Sequence, residues 1–103
     1  MPEISYTFKL TISGPDGFSK EFEVPIGITT IGREPDNGLV LEYSTVSRYH
    51  ARLECVPGEC SITDLGSSNG TTVDGQICPP RNPQPLRRGA SLQLGDMIFE
   101  LVT

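Results

Sequence analysis

Three donor-rich clusters dominate the polar part of the sequence: Gly32-Arg33, Ser47-Arg48-Tyr49-His50 and Ser67-Ser68-Asn69-Gly70-Thr71. The chemistry they share is capture of an anion. Arg33 and Arg48 offer planar forks of N–H donors that match phosphate oxygens and stay charged. Ser47 and Ser68 add hydroxyls. Asn69 adds an amide that donates and accepts at once, which suits a peptide backbone. Gly66 and Gly70 let the main chain approach closely and turn N–H groups outward. Taken singly, each residue has a plainer reading: Arg33 as a surface partner of Glu34 or Asp36, Ser47 as a turn cap, Arg48 as a loop brace, Ser68-Asn69 as a tight turn. Tyr49 reads as a packing residue. The anion-binding reading needs the three clusters to meet in space.

The elements around them are short strands. Tyr6, Phe8, Leu10 and Ile12 alternate with Thr7, Lys9 and Thr11, the period-two pattern of a half-buried strand. Gly14-Pro15-Asp16-Gly17 turns the chain, and Phe18, Phe22 and Val24 continue the alternation, so residues 4–25 predict a hairpin. Ile28–Gly32 and Leu39–Leu41 are short apolar runs on either side of Glu34-Pro35-Asp36-Asn37-Gly38. Ala51, Leu53 and Cys55 alternate with polar residues, Pro57-Gly58 turns, and Ser61–Leu65 follows. Asp74-Gly75 between Thr71–Val73 and Gln76–Ile77 is a two-residue hairpin signal, because both positions tolerate positive φ. Residues 78–85, CPPRNPQP, hold four prolines that cannot donate to a ladder, and read as a surface loop. Leu92 and Leu94 lead through Gly95-Asp96 to a last strand with Met97, Phe99 and Leu101. No helical apolar repeat lasts three turns. Ten or eleven short strands with turns every few residues predict an all-β sandwich, with its loops gathered at the ends. Loops at one end of such a scaffold bring distant residues to one ligand.

At 103 residues the chain has the size of one domain, 1–103, with no linker and no internal repeat. Apolar residues are 36% and charged residues 20%, enough for a folded core and unlike a disordered chain. The formal net charge is -5. That argues against nucleic acid or an anionic membrane as partner, since both need a surplus of cations. No apolar run approaches the roughly 18 residues of a membrane span. MPEISYTFKL has neither the basic nor the apolar part of a secretory signal. The chain stops just after its last strand, as an excised module or an N-terminal domain would.

Cys55, Cys60 and Cys78 are an odd set, which suits free thiols in a reduced, cytoplasmic setting better than a disulfide framework. Cys55 and Cys60 flank Val-Pro-Gly-Glu and face each other if that segment is a hairpin. A zinc site wants a fourth ligand, and the one histidine is His50, so no metal is expected. Ser47, His50 and Asp64 hold the letters of a hydrolytic triad, which only geometry turns into one. No phosphate-binding Gly-Lys-Ser/Thr loop, His-Glu-x-x-His or carboxylate pair is present, so no enzyme activity and no cofactor are expected.

Four segments in order carry a family resemblance: Ile31-Gly32-Arg33, Val46-Ser47-Arg48-Tyr49-His50-Ala51, Asp64-Leu65-Gly66-Ser67-Ser68-Asn69-Gly70-Thr71-Thr72-Val73-Asp74-Gly75, and Leu94-Gly95-Asp96. Together they make the sequence resemble the forkhead-associated (FHA) domain, a reader of phosphothreonine peptides. The resemblance implies an eleven-stranded sandwich of two antiparallel or mixed sheets with ligand loops at one end, and recognition of a phosphorylated motif through charged donors.

Carried over by position, Arg33 would bind the phosphate or the adjacent peptide backbone. Ser47 would donate to a phosphate oxygen, and Arg48 would hold the phosphate or the peptide main chain. Ser68 would add a contact through its hydroxyl or N–H, and Asn69 would clamp the peptide backbone. His50 would brace the Ser47 loop without touching ligand, and Gly32, Gly70 and Gly75 would be conformational. The implied partner is a threonine-phosphorylated protein or peptide, a Ser/Thr kinase or its substrate. Some members instead bind unphosphorylated proteins or self-associate, which is the rival reading. The methyl pocket that would prefer threonine to serine is implied by the resemblance alone. Residues three places after the phosphothreonine would be read by Glu42, Tyr43, Ser44, Thr45 or Val46, or by Arg81 or Asn82. Two departures stand out: Asp74 where the family often has Asn, and a 78–85 loop longer than usual.

Overall fold

The alternation in the sequence becomes two sheets packed face to face. In the computed structural model, which describes residues 8–102, eleven strands form. They are β1 (Phe8–Ser13), β2 (Ser19–Val24), β3 (Gly27–Gly32), β4 (Leu39–Val40), β5 (Ala51–Val56), β6 (Glu59–Asp64), β7 (Thr71–Val73), β8 (Gln76–Ile77), β9 (Gln84–Leu86), β10 (Ser91–Leu94) and β11 (Met97–Val102). One sheet runs β2-β1-β11-β10-β7-β8 and the other β4-β3-β5-β6-β9. All recorded pairs are antiparallel except β3 with β4, so the second sheet is mixed.

Every second residue faces the partner sheet. Phe8, Leu10 and Ile12 of β1, Leu92 and Leu94 of β10, and Met97, Phe99 and Leu101 of β11 are buried from one side. Ile31, Ala51, Leu53, Cys55, Cys60 and Ile62 meet them from the other. Removing this much apolar side chain from water is the main stabilising contribution, roughly 1.5–3 kcal/mol for each large residue. The first hairpin forms as expected, with Leu10 opposite Phe22 and Ser13 opposite Ser19; Tyr6 and Thr7 lie outside the described residues. Asp74 and Gly75 take φ of 50° and 83°, the pair of positive values that a tight turn between β7 and β8 requires.

Two expectations need correction. The proline-rich stretch is not wholly a surface loop: Cys78 is buried, and Gln84–Leu86 pairs with β6. Pro85 is tolerated because β9 is an edge strand with no outer neighbour to receive a ladder bond. Cys55 and Cys60 are also not free thiols. They lie directly opposite across the β5–β6 hairpin, Cα atoms 4.1 Å apart, and form a disulfide. An odd cysteine count forbids complete pairing, not one bridge between residues the hairpin brings together. Cys78 is the buried free thiol.

The sandwich gathers the β3–β4, β4–β5, β6–β7 and β10–β11 connections at one end. The β5–β6 turn lies at the other.

Candidate functional site

The three donor clusters meet. Arg33 donates its backbone N–H to Ser47 O at 3.1 Å and its Nε to Val46 O at 2.5 Å. The second bond fixes the guanidinium against the β4–β5 loop, and its Nη groups make no hydrogen bond or ion pair among the described residues. Ser68 donates its N–H to Ser47 Oγ at 3.0 Å. Asn69 donates Nδ2 to Thr45 O at 2.8 Å. The Arg33, Ser47 and Ser68-Asn69 segments are therefore hydrogen-bonded neighbours at one tip.

These bonds also dictate what each side chain has left to offer. Ser47 Oγ accepts from Ser68, and its own O–H has no acceptor among the described residues, so it remains available to a ligand. The Ser68 N–H is taken by Ser47, so of the two contacts the sequence allowed Ser68, the hydroxyl is the one still open. Asn69 keeps its carbonyl oxygen and a second N–H. Arg48 is exposed, and its side chain makes no hydrogen bond or ion pair among the described residues.

His50 is fully buried beneath the site. Its backbone joins β3 and the β6–β7 loop: its N–H reaches Ile31 O at 2.8 Å, and its O accepts from Leu65 N–H at 3.0 Å. Its ring joins the two site loops. Ser47 N–H donates to Nδ1 at 3.0 Å, and Nε2 lies 2.9 Å from Gly70 O. Because Nδ1 must accept, Nε2 carries the proton and donates, so the ring is the neutral Nε2–H tautomer. Burial pushes its pKa down, outweighing the opposite pull of Gly70 O and Asp64.

Gly32 is a matter of space. A Cβ there would lie 2.1 Å from Arg48 O and 2.8 Å from Asn37 Nδ2. The β4–β5 loop can lie against β3 only because residue 32 has no side chain.

Sequence reasoning missed three organisers. Asn37 reads as a turn former, yet it is buried, and its Nδ2 donates to both Glu34 O and Arg48 O at 2.9 Å. Asp64 reads as a strand end, yet its buried carboxylate shapes the whole 66–71 loop. It accepts from Gly66 N–H at 2.9 Å, Ser67 N–H at 3.1 Å, Ser67 Oγ at 2.5 Å and Thr71 Oγ1 at 2.7 Å. Burial alone would raise its pKa; the hydroxyls of Ser67 and Thr71 and the two N–H groups together hold it below the usual carboxylate range. The signal available in the sequence was the Asp-x-Gly-Ser spacing, which puts a carboxylate two and three residues before N–H donors in an Asx-type turn. Thr45 is a third: its Oγ1 accepts from Asp96 N–H at 3.0 Å, tying the β10–β11 turn to the site. Tyr49 does not pack in the core. It is 49% exposed, and its hydroxyl binds the Asp36 carboxylate at 3.0 Å, which holds its own proton more tightly.

The profile of the family described as the FHA domain matches residues 29–95, about two thirds of the chain. The chain belongs to the FHA domain family. The oxoglutarate dehydrogenase inhibitor of Corynebacterium efficiens is 43% identical over 74 residues, covering 72% of this chain and 49% of the relative. The chain spans about half the length of the curated relatives it matches. Among solved structures, the FHA domain of the CT664 protein from Chlamydia trachomatis superposes with a TM-score of 0.84 at 28% identity, covering 94% of this chain and 97% of that one. Another, from a study of phosphothreonine-dependent FHA domain interactions, gives a TM-score of 0.79 at 26% identity over 92% of this chain and 96% of that one.

The FHA fold explains why the triad letters make no triad. His50 Nδ1 accepts a backbone N–H, and Nε2 faces a carbonyl, so neither nitrogen can take a proton from Ser47 Oγ. The Asp64 carboxylate is filled by the 66–71 loop. The domain is a binding module, not an enzyme.

Proposed function

We propose that this FHA domain, taken as residues 1–103, binds a threonine-phosphorylated segment of a partner protein through Arg33, Ser47, Arg48, Ser68 and Asn69. The observation that carries the reading is the convergence of the three donor clusters on one tip, each with donors that have no partner among the described residues. In this arrangement the Arg33 Nη groups, the Ser47 hydroxyl and the Ser68 hydroxyl grip phosphate oxygens, Arg48 adds charge, and Asn69 pairs with the peptide backbone. His50, Gly32 and Gly70 hold the loops in place and contact no ligand.

A phosphothreonine carries about -1.5 to -2 charge and three strong acceptor oxygens. Charge-assisted bonds contribute roughly 1.5–3 kcal/mol each. Three or four of them, less the cost of ordering a peptide, give binding on the order of -8 kcal/mol, a micromolar Kd. The acidic remainder of the surface repels polyanions without matching shape. The name of the Corynebacterium relative, an oxoglutarate dehydrogenase inhibitor, supports a regulatory role for the full-length protein. We place the module in the cytoplasm, where ATP-dependent kinases write such marks; the Cys55–Cys60 disulfide removes free thiols as support for that setting, which rests on the phosphothreonine reading instead. Among the described residues no helix is long and apolar enough to cross a membrane.

The deciding experiment is calorimetric titration of one peptide with and without phosphate on its threonine, using the wild type and Ser47→Ala. The phosphorylated form should bind at micromolar Kd and the plain form at least about 100-fold more weakly. Equal affinity for both forms would show a phosphorylation-independent adaptor, and unchanged binding by Ser47→Ala would remove the site assignment.

A further inference from the structure

An asparagine followed by glycine carries its own reactive partner. The glycine nitrogen, once deprotonated, can attack the asparagine side-chain carbonyl, and no Cβ on the glycine obstructs it. The chain has three asparagines, Asn37, Asn69 and Asn82. Asn82 precedes Pro83, whose nitrogen has no hydrogen to lose and cannot attack. Asn37 and Asn69 both precede glycine, at Gly38 and Gly70.

The fold separates these two. Asn37 is 6% exposed, its Nδ2 donates to both Glu34 O and Arg48 O at 2.9 Å, and the Gly38 N–H donates to Thr30 Oγ1 at 3.2 Å. Freeing that amide means lifting the β3–β4 connection from the β4–β5 loop. Asn69 is exposed. Its Nδ2 has one bond, to Thr45 O at 2.8 Å, and the Gly70 N–H has one, to Ser67 Oγ at 2.9 Å. Both groups lie in the 66–71 loop, so opening that loop alone frees the nucleophile and the amide together. Local openings of surface loops cost least in a fold.

We propose that Asn69 is a deamidation site, at which the binding tip loses its peptide clamp and gains a negative charge. Gly70 N gives its proton to hydroxide and attacks Asn69 Cγ. An N–Cγ bond forms, the Cγ–Nδ2 bond breaks, and Nδ2 takes a proton and leaves as ammonia, closing a cyclic imide. Water then opens the ring. Attack at Cγ gives aspartate, and attack at the main-chain carbonyl carbon of residue 69 gives isoaspartate. In sum, one amide and one water give one carboxylic acid and one ammonia. Either product puts a carboxylate among the donors that grip the phosphate and can no longer donate to Thr45 O. Isoaspartate also inserts a carbon into the main chain before Gly70, whose O lies 2.9 Å from His50 Nε2. The loss of binding rests on the phosphothreonine reading above; the deamidation itself does not.

The test incubates the folded protein in mildly alkaline buffer made with heavy-oxygen water and follows each asparagine by peptide mapping and mass spectrometry. Asn69 should convert at least about tenfold faster than Asn37. In denaturing urea the two rates should converge, because both are then Asn-Gly in an open chain. Saturating phosphothreonine peptide should slow the reaction at Asn69. Ion exchange separates the more acidic product from fresh protein, and both are titrated with that peptide. The acidic product should bind at least about tenfold more weakly, as like charges are brought together. Asn69→Asp supplies the aspartate form alone and should show the same loss; its thermal melt, measured alongside, separates lost binding from lost fold. An Asn69 as durable as Asn37 in the folded protein overturns the inference and leaves the phosphothreonine site standing. An acidic product with the affinity of fresh protein overturns it as well. Fresh protein that ignores threonine phosphorylation takes down the phosphothreonine reading, and the loss of binding with it.

Discussion

The Ser47 backbone N–H donates to Nδ1 of His50 at 3.0 Å, and that bond fixes the tautomer on which the site depends. With Nδ1 accepting, the proton sits on Nε2 and reaches Gly70 O at 2.9 Å, so a neutral buried ring ties the β4–β5 loop to the β6–β7 loop. A protonated ring would carry a hydrogen on Nδ1, facing the Ser47 N–H, and would place a charge in a buried position. The anchor of an anion site is thus itself kept uncharged.

This makes folding sensitive to mild acid. His50 has a folded pKa below its usual 6.5, so the unfolded chain takes up the proton first as pH falls. The stability it contributes is fully present above about 6.5 and is lost progressively as pH falls from there to the lower folded value. His50 is the one histidine in the chain, so the window is clean. Urea denaturation at stepped pH values between 7.5 and 5 should show a falling midpoint in the wild type. A wild-type midpoint that stays flat across that window refutes the buried neutral ring.

Removing the ring altogether should be worse. His50→Ala leaves the Ser47 N–H and Gly70 O without their partner beneath the surface and opens a cavity. A cost of about 2–4 kcal/mol is expected from the unmet polar groups and lost packing. Phosphopeptide affinity should fall more than about tenfold even where the variant is folded, because Ser47 loses its fixed position. Chemical denaturation and peptide titration on the same preparation separate the two effects.

Gly32→Ala probes the close approach of the loops. The added Cβ would meet a backbone oxygen at 2.1 Å, and backbone cannot swing aside as a flexible side chain can. The β4–β5 loop must then lift from β3, breaking the Arg33 bonds to Ser47 O and Val46 O. Destabilisation of about 1–3 kcal/mol or more is expected from overpacking, together with loss of phosphopeptide binding. Near-wild-type affinity would mean that the loop tolerates displacement and that its fit against β3 is not required.

Much of this was legible in the sequence, for a physical reason. Strands with one buried face write a period of two, and tight turns demand Gly, Pro, Asn or Asp, so the β1–β2 hairpin, the Pro57-Gly58 turn and the Asp74-Gly75 turn could be placed from residue types. The donor clusters were visible because they fall within four ordered segments of a family pattern; taken singly, each residue has a plainer structural use. Asn37 and Asp64 were hidden because a turn-forming side chain and a loop-organising one use the same letters; only the bonds to Arg48 O and to Thr71 Oγ1 separate them. β9 was hidden because Gln84-Pro85-Leu86 has no alternation long enough to register, and its pairing with Cys60–Ile62 is fixed by the sheet edge it meets. The disulfide was hidden because cysteine counting looks at the whole chain, whereas the bond depends on one register.

Asp64→Asn tests the organiser of the 66–71 loop. The amide keeps one acceptor oxygen where the carboxylate has two, so either the Gly66 and Ser67 N–H groups or the Ser67 and Thr71 hydroxyls lose their acceptor, at a cost of about 1–3 kcal/mol. The wild-type contribution also has a pH signature opposite in origin to that of His50. The Asp64 pKa is lowered on folding, so its stabilisation is fully present above its ordinary 3.8 and is lost as pH falls through the folded value. Acid denaturation of Asp64→Asn should lack this component below pH 4, as a shallower fall than in wild type. An equally steep fall would assign the acid sensitivity to other carboxylates.

The Cys55–Cys60 bond should matter to stability and not to binding. It closes a loop of only about six residues, and the chain-entropy account gives such a loop roughly 2 kcal/mol. Hydrogen bonds of the β5–β6 ladder already hold the same register, so the fold does not depend on the bond to find its pairing. The bridge also lies by the Pro57-Gly58 turn, while Ser47, Ser68 and Asn69 sit at the other end of the sandwich. The variant with both Cys55→Ala and Cys60→Ala should therefore melt several degrees lower, on the order of 8–15 °C for a domain of this size. Its phosphopeptide Kd should stay within about twofold of wild type, since sites that share no partner act additively. Thermal melts with and without reductant should reproduce the difference in the wild type and abolish it in the variant. A large loss of affinity on reduction would instead show that the two ends of the sandwich are coupled through β5 and β6.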